Sequence, residues 1–261
     1  MRSPATATLR WRPWRSARLV RWALIAATFV VLQLLTAGGT IAPVVLPQPT
    51  QVVSAFADLV QTAEFRSDLG RTATTVAVSF AIGLVVGVAF GALSWRVPLL
   101  GDILEPYLVT GYAMPTLVFY PILVALMGIG MGPIIVIAAV MVVIPVALNV
   151  MIALREVNPA LEKMGRSLNC SRSQLYRKIL VPAATPLAIP GIKLGFIYAV
   201  IGTVAMEFIL ADRGLGFRIG FDYRQFDVQE MWGLILAVAV LSILVTAALG
   251  WLERRIRRDM L

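Results

Sequence analysis

Six apolar runs recur along the chain, at Leu19–Ala37, Thr72–Leu93, Tyr107–Met127, Pro133–Leu154, Ala188–Leu210 and Met231–Trp251. Each approaches the roughly 20 residues that an α-helix needs to cross a bilayer. The pattern predicts an all-α integral membrane protein with six transmembrane helices. The spanning domain covers residues 19–251, between a basic N-terminal segment at 1–18 and a basic tail at 252–261. The first run follows several arginines, as in a signal peptide, but it is long and lacks a small-residue cleavage site. It reads as a retained span.

Composition supports this reading. Of 261 residues, 59% are hydrophobic and only 14% charged, where soluble domains run nearer one half and one quarter. The mean hydropathy is +0.84. The net charge of +9 is not a nucleic-acid signature, because the basic residues cluster beside apolar runs. Arg2, Arg10, Arg12, Arg15, Arg18 and Arg21 flank the first span, and Arg254, Arg255, Arg257 and Arg258 follow the last. The positive-inside rule then puts both termini in the cytoplasm, which requires an even number of spans. Alternation places the loop near Arg96 and the segment Asn158–Pro190 inside, with 38–71, 128–132 and 211–230 outside.

Within the spans, Gly83, Gly87 and Gly91 give a repeated small-xxx-small pattern, for which helix packing is the default reading. Pro115, Pro121 and Pro145 each remove a backbone donor and are expected to kink spans three and four. In the outer segment, Leu46-Pro47-Gln48-Pro49 reads as extended. Thr50 then caps a short helix with Val52, Phe56, Leu59 and Ala63 on one face.

The segment 158–190 is too polar for the bilayer and carries signals for two short helices. Pro159 suits a first helical turn, and Asn169 tolerates the left-handed conformation just past a helix end. Ser171 and Gln174 have capping-box spacing, and Pro182 ends the second helix. Lys163, Arg166, Arg172, Arg177 and Lys178 make this elbow basic, against Glu162 alone. A grip for a partner and an ordinary solvated loop are both open on these local signals.

Chemistry inside the membrane is sparse. Glu207 is the one carboxylate well inside a span, where a charge costs roughly 2.5–3.5 kcal/mol and must face protein or water. Three roles are open to it: pairing with an arginine of the outer segment, binding substrate, or reaching to the boundary. Asn149, Tyr112, Tyr198, Thr203 and Met206 either face a central cavity or act as polar and packing contacts between helices. The chain has no histidine and one cysteine, Cys170, so metal sites and nucleophile–base pairs built on those residues are excluded. No phosphate-cradling loop exists, and none of Lys163, Lys178 and Lys193 follows a glycine. If ATP drives transport here, another polypeptide hydrolyses it.

The elbow resembles the EAA loop of ABC-transporter permeases of the binding-protein-dependent importer type. Arg166-Ser167-Leu168 leads to Asn169-Cys170-Ser171-Arg172, then Gln174-Leu175-Tyr176 and Ile179-Leu180-Val181-Pro182. Lys163-Met164-Gly165 stands where that family has Glu-Ala-Ala, Asn169 replaces its glycine, and Glu162 lies one position early. Leu46-Pro-Gln-Pro-Thr-Gln-Val52, the stretch Pro115–Gly130, and Glu207-Phe208 with Arg213-Gly214-Leu215-Gly216-Phe217 are similar to the branch serving taurine, alkanesulfonates, nitrate and thiamine-precursor pyrimidines. The resemblance runs from about Leu46 to the C-terminus.

The resemblance implies a type I ABC importer-like permease fold in a bacterial cytoplasmic (inner) membrane, with a cytoplasmic coupling-helix loop. Two copies of the chain would form the path, with two cytoplasmic ATP-binding subunits beneath. A periplasmic or lipid-anchored solute-binding protein would sit outside. ATP and Mg would lie on the partner ATPase, with no cofactor bound by this chain. The coupling residues implied are Glu162, Lys163, Gly165, Arg166, Leu168, Asn169, Ser171, Arg172, Leu175, Tyr176 and Pro182. Path candidates are Met114, Asn149, Tyr198, Thr203, Met206 and Glu207, and binding-protein contacts are Pro47, Pro49, Arg213 and Phe217. The solute class implied is small and anionic, of the sulfonate, nitrate, pyrimidine-precursor or aromatic-acid kind. A membrane scaffold or receptor without transport activity, and an ATP-independent secondary carrier, remain as alternatives.

Overall fold

The computed structural model describes residues 13–113 and 116–259, and no strand occurs among them. The elements are α1 (Pro13–Ala37), α2 (Pro49–Leu59), α3 (Ala63–Arg96), α4 (Pro98–Ala113), α5 (Tyr120–Met127), α6 (Met131–Arg155), α7 (Pro159–Ser167), α8 (Arg172–Leu175), α9 (Val181–Leu210), α10 (Leu215–Gln225) and α11 (Val228–Asp259). Among the described residues five helical stretches are long and apolar enough to cross a membrane, with a sixth if the bent pair Pro98–Tyr112 and Thr116–Met127 counts as one span.

That bent pair corrects the third span. The run Tyr107–Met127 is not one helix: α4 and α5 meet at 90°, joined by a 3-10 turn at Thr116–Phe119. Pro121 sits in the first turn of α5, where a missing N–H breaks no bond, so it starts a helix instead of kinking one. Pro115 lies outside the described residues. Pro145 does not interrupt α6, which runs unbroken to Arg155. In α2 the cap is Gln48, not Thr50, with Pro49 in the first turn. The Gln48 N–H donates to Gln51 Oε1 at 3.1 Å. Leu59 and Phe56 pack inward beside Leu215 and Leu234, whereas Ala63 already belongs to α3 and is exposed.

The core is α6 held between α3 and α9, and the glycines explain the closeness. A Cβ on Gly83, Gly87 or Gly91 would fall 2.4, 2.8 or 2.6 Å from atoms of Val142, Val146 or Ala147. The α9 side repeats the device: a Cβ on Gly191 would meet Asn149 at 2.1 Å, and one on Gly195 would meet Val146 at 2.8 Å. Both flanking helices therefore lie against α6 at a distance no larger residue permits.

At the end opposite the elbow, α10 folds back onto the spans through its own N-terminus. The Gly214 N–H donates to Asp68 Oδ1 at 3.1 Å, and the Leu215 N–H to Thr72 Oγ1 at 2.9 Å. The Gly216 N–H donates to Glu207 Oε2 at 3.1 Å, and the Thr72 hydroxyl donates to the same oxygen at 2.8 Å. A helix start leaves these N–H groups without intrahelical partners and concentrates positive potential there. Side chains from α3 and α9 satisfy them. Gly214 has φ +109 and lies against the Glu207 carboxyl, which a Cβ would approach to 2.5 Å. Arg71 pairs with Asp212 at 2.7 Å, and Arg218 with Glu230 and Asp68. Asp222 is buried beside them at 5% exposure. Burial pushes its carboxyl up to about 6, helped by Glu230 and Asp227 and opposed by Arg218.

Two measurements test this packing. Gly87→Leu should lower the unfolding midpoint of the purified protein by the equivalent of about 1–3 kcal/mol. Gly70→Ala, where nothing lies within 4 Å, should not lower it; equal losses would show that the close contacts are not what binds α3 to α6. Folded Asp222 keeps its proton up to about pH 6, while the unfolded chain sheds it near the ordinary carboxyl value. Stability should therefore fall as pH rises through about 6. Asp222→Asn should flatten that slope, and an unchanged slope in the variant would remove Asp222 as its source.

Candidate functional site

The elbow folds by local chemistry. The Asn158 side chain accepts from the Ala160 N–H at 2.9 Å, capping α7, with Pro159 in its first turn. Asn169 takes φ 53. The Asn169 N–H donates to the Arg166 carbonyl at 3.0 Å and the Cys170 N–H to the Gly165 carbonyl at 3.1 Å, the double closure of a Schellman end. Ser171 and Gln174 form the reciprocal capping box of α8. Pro182 corrects the expected end of the second helix. The chain passes from α8 through a π-helical turn at Tyr176–Leu180 directly into α9, with Pro182 in the first turn of α9. The wider turn relieves the clash between a proline ring and the carbonyl four residues back. One helical body thus runs from Arg172 to Ile209.

Gly165 is buried where α7 crosses that body, and a Cβ there would meet Leu175 and Ile179 at 2.6 and 2.7 Å. Leu175 is therefore an internal strut of the elbow, not part of its exposed face. Tyr176 is also engaged inward: its ring meets Trp95 edge-on, with centroids 5.6 Å apart, and the Arg96 guanidinium lies 6.0 Å above it. The exposed side chains of the elbow include the apolar Met164 and Leu168 and the basic Lys163, Arg166, Arg172, Arg177 and Lys178, with small polar residues between them. Glu162 is bound to Arg166 at 2.6 Å. Exposed apolar and basic side chains together suit a groove with acidic edges on a partner. Nearby, Arg155 at the end of α6 binds Glu105 at 2.9 Å and approaches Asp102 at 3.7 Å, tying α4 to the base of the elbow.

The path candidates separate into two groups. Thr203, Met206 and Glu207 are fully buried inside the protomer, because that face of α9 packs on α3, α6 and α10, with Met206 also beside Tyr120 of α5. They do not line an open path in this state. Of the three roles open to Glu207, structural pairing is the one seen, and the partner is the start of α10, not an arginine. Asn149 donates to the Pro145 carbonyl at 2.8 Å. Tyr198 is half-buried against Tyr112, with ring centroids 6.0 Å apart. Met114 lies outside the described residues. Among the outer candidates Pro47 is buried and Pro49 and Phe217 are half-buried, while Arg213 is exposed.

Sequence reasoning missed Lys193, which lies within the fifth apolar run and pairs with Glu253 of α11. Opposite charges at the same end of two spans were the available signal. It also missed Trp95 and Thr72, whose roles come from contacts distant in sequence.

With this geometry in hand, the chain can be set beside known proteins. Its likeness extends to the formylaminopyrimidine transport permease protein of Halalkalibacterium halodurans, 26% identical over 81% of this chain and 84% of the relative. The taurine transport system permease protein of Escherichia coli is 27% identical over 95% of this chain and 92% of the relative. The MetNI methionine ABC transporter, solved in inward-facing form, shares the fold, with a TM-score of 0.61 and 21% identity over 74% of this chain and 94% of that one. This is the type I ABC importer permease fold. Residues 81–258 match the family described as the binding-protein-dependent transport system inner membrane component, so the chain belongs to that family of multi-pass ABC importer permeases.

Proposed function

We propose that two copies of this chain form the translocation path of an ATP-driven importer, with the elbow of each seated in a cytoplasmic ATP-binding subunit. ATP and Mg are held by that subunit. Both termini lie in the cytoplasm, and a solute-binding protein delivers a small solute to the opposite face. Sulfonates and pyrimidine precursors are the classes suggested by the relatives' names.

The observation that carries this reading is the unbroken helical body from Arg172 to Ile209, with the basic elbow folded against its end. Closure of the ATPase pair displaces α7 and α8, and the displacement passes along α9, which stays helical through Pro186 and Pro190. Trp95, packed on Tyr176, carries the same movement to the end of α3. The spans then tilt as rigid bodies and open the path outward. In this reading Asn149 and the Tyr112–Tyr198 pair meet the solute as it passes.

The test uses the permease co-purified with its ATPase in nanodiscs. Leu168→Asp should cut solute-stimulated ATP hydrolysis by about tenfold or more, the loss expected when a central apolar anchor becomes charged. The variant should still insert and unfold at the unmodified temperature, because Leu168 is exposed. Undiminished stimulation would show that the elbow is not the coupling element.

A further inference from the structure

The face opposite the elbow carries a groove that neither the path nor the coupling scheme uses. One depression of about 430 Å³ is edged by Glu64, Asp68, Asp212 and Asp222, with Arg213 and Arg218 beside them. A neighbouring one of about 400 Å³ adds Asp58. The two share Asp227 and Glu230, and so form one trough across the end of α2, the starts of α3 and α11 and the length of α10.

The charge there is one-sided: two arginines among the lining residues face seven carboxylates. Arg218 is already committed to Glu230 and Asp68, and Arg71 to Asp212. Among the described residues Asp58 and Glu64 have no ion-pair partner. Asp222 is 95% buried, from an exposure of 5%, yet its Oδ2 has no hydrogen-bond partner. A buried carboxylate oxygen left empty on a groove wall is costly unless a donor arrives.

The shape narrows the guest. No three acidic groups among the described residues converge tightly enough to hold a metal ion, so a compact cation is a poor fit. Phe217 and Phe221 wall the same trough, with rings 6.1 Å apart. A planar guanidinium both forks onto carboxylates and stacks on aromatic faces. The geometry points to this trough as the seat of arginine side chains on the solute-binding protein, an inference that rests on the importer reading above. The docking surface of that protein is therefore basic, and opposite in sign to the groove that receives it.

The experiment measures binding of the solute-loaded binding protein to the permease–ATPase complex in nanodiscs, at low and high ionic strength. Glu64→Lys and Asp58→Lys should each weaken binding by about tenfold and reduce its salt sensitivity. Assembly and basal ATPase activity should not change, since both carboxylates are exposed and unpaired. Replacing an arginine of the binding protein by glutamate should restore affinity for one of the two variants. Undiminished binding by both variants would overturn the acidic seat alone. No binding to the unmodified complex would overturn the importer reading, and this inference with it.

Discussion

Lipid tails compete for apolar surface as well as any leucine does, so three spans can hold together here only through contact at shorter range. The glycines of α3 and α9 supply it from both sides of α6. Val142 and Val146 touch Gly83 and Gly87 on one flank and Gly195 on the other. The central helix is thus clasped along most of its length. Exposed apolar residues on α1, α4 and α5 lie away from this clasp, where lipid or other protein covers them. Polar groups enter the clasp sparingly: Thr75, Ser79 and Asn149 are tied to backbone carbonyls one turn back, whereas the hydroxyls of Ser94 and Thr203 are buried without a partner.

The two ends of the clasp are fastened differently. At one end Glu207 and Thr72 take up the N–H groups at the start of α10, so the outer helix is anchored by backbone donors to two spans. At the other, Trp95 against Tyr176 and Arg155 against Glu105 join the elbow to α3 and α4. The Lys193–Glu253 pair joins α9 to α11 at the same end. These contacts tie the elbow end of the clasp into one packed body.

Legibility in the sequence followed the range of each interaction. Asn158, Asn169, Ser171 and Gln174 were readable because caps act over two to five residues. Gly83, Gly87 and Gly91 were readable because helical spacing exposes them as a stripe. Pro182 misled because a proline reads as a stop unless the turn before it widens, and that widening leaves no residue signature. Thr50 yielded to Gln48 once Pro49 took the first turn. Pro115 and Pro121 signalled a kink in span three, but uniform hydrophobicity hid that it is a 90° break. The partner of Glu207 was illegible for a simpler reason: Thr72 lies 135 residues away, and only the folded chain brings them together.

The π-helical turn has a consequence for angular phase. It lengthens the path round the helix by about one residue, and one residue is about 100° of azimuth in an α-helix. Everything downstream on α9 is dialled by that amount relative to the elbow. Shortening Tyr176–Leu180 by a single residue would swing Lys193 away from Glu253, Gly195 away from Val146 and Glu207 away from Thr72 together. The turn sets the compass bearing of a whole span, so the elbow governs which way α9 faces as well as where it stands.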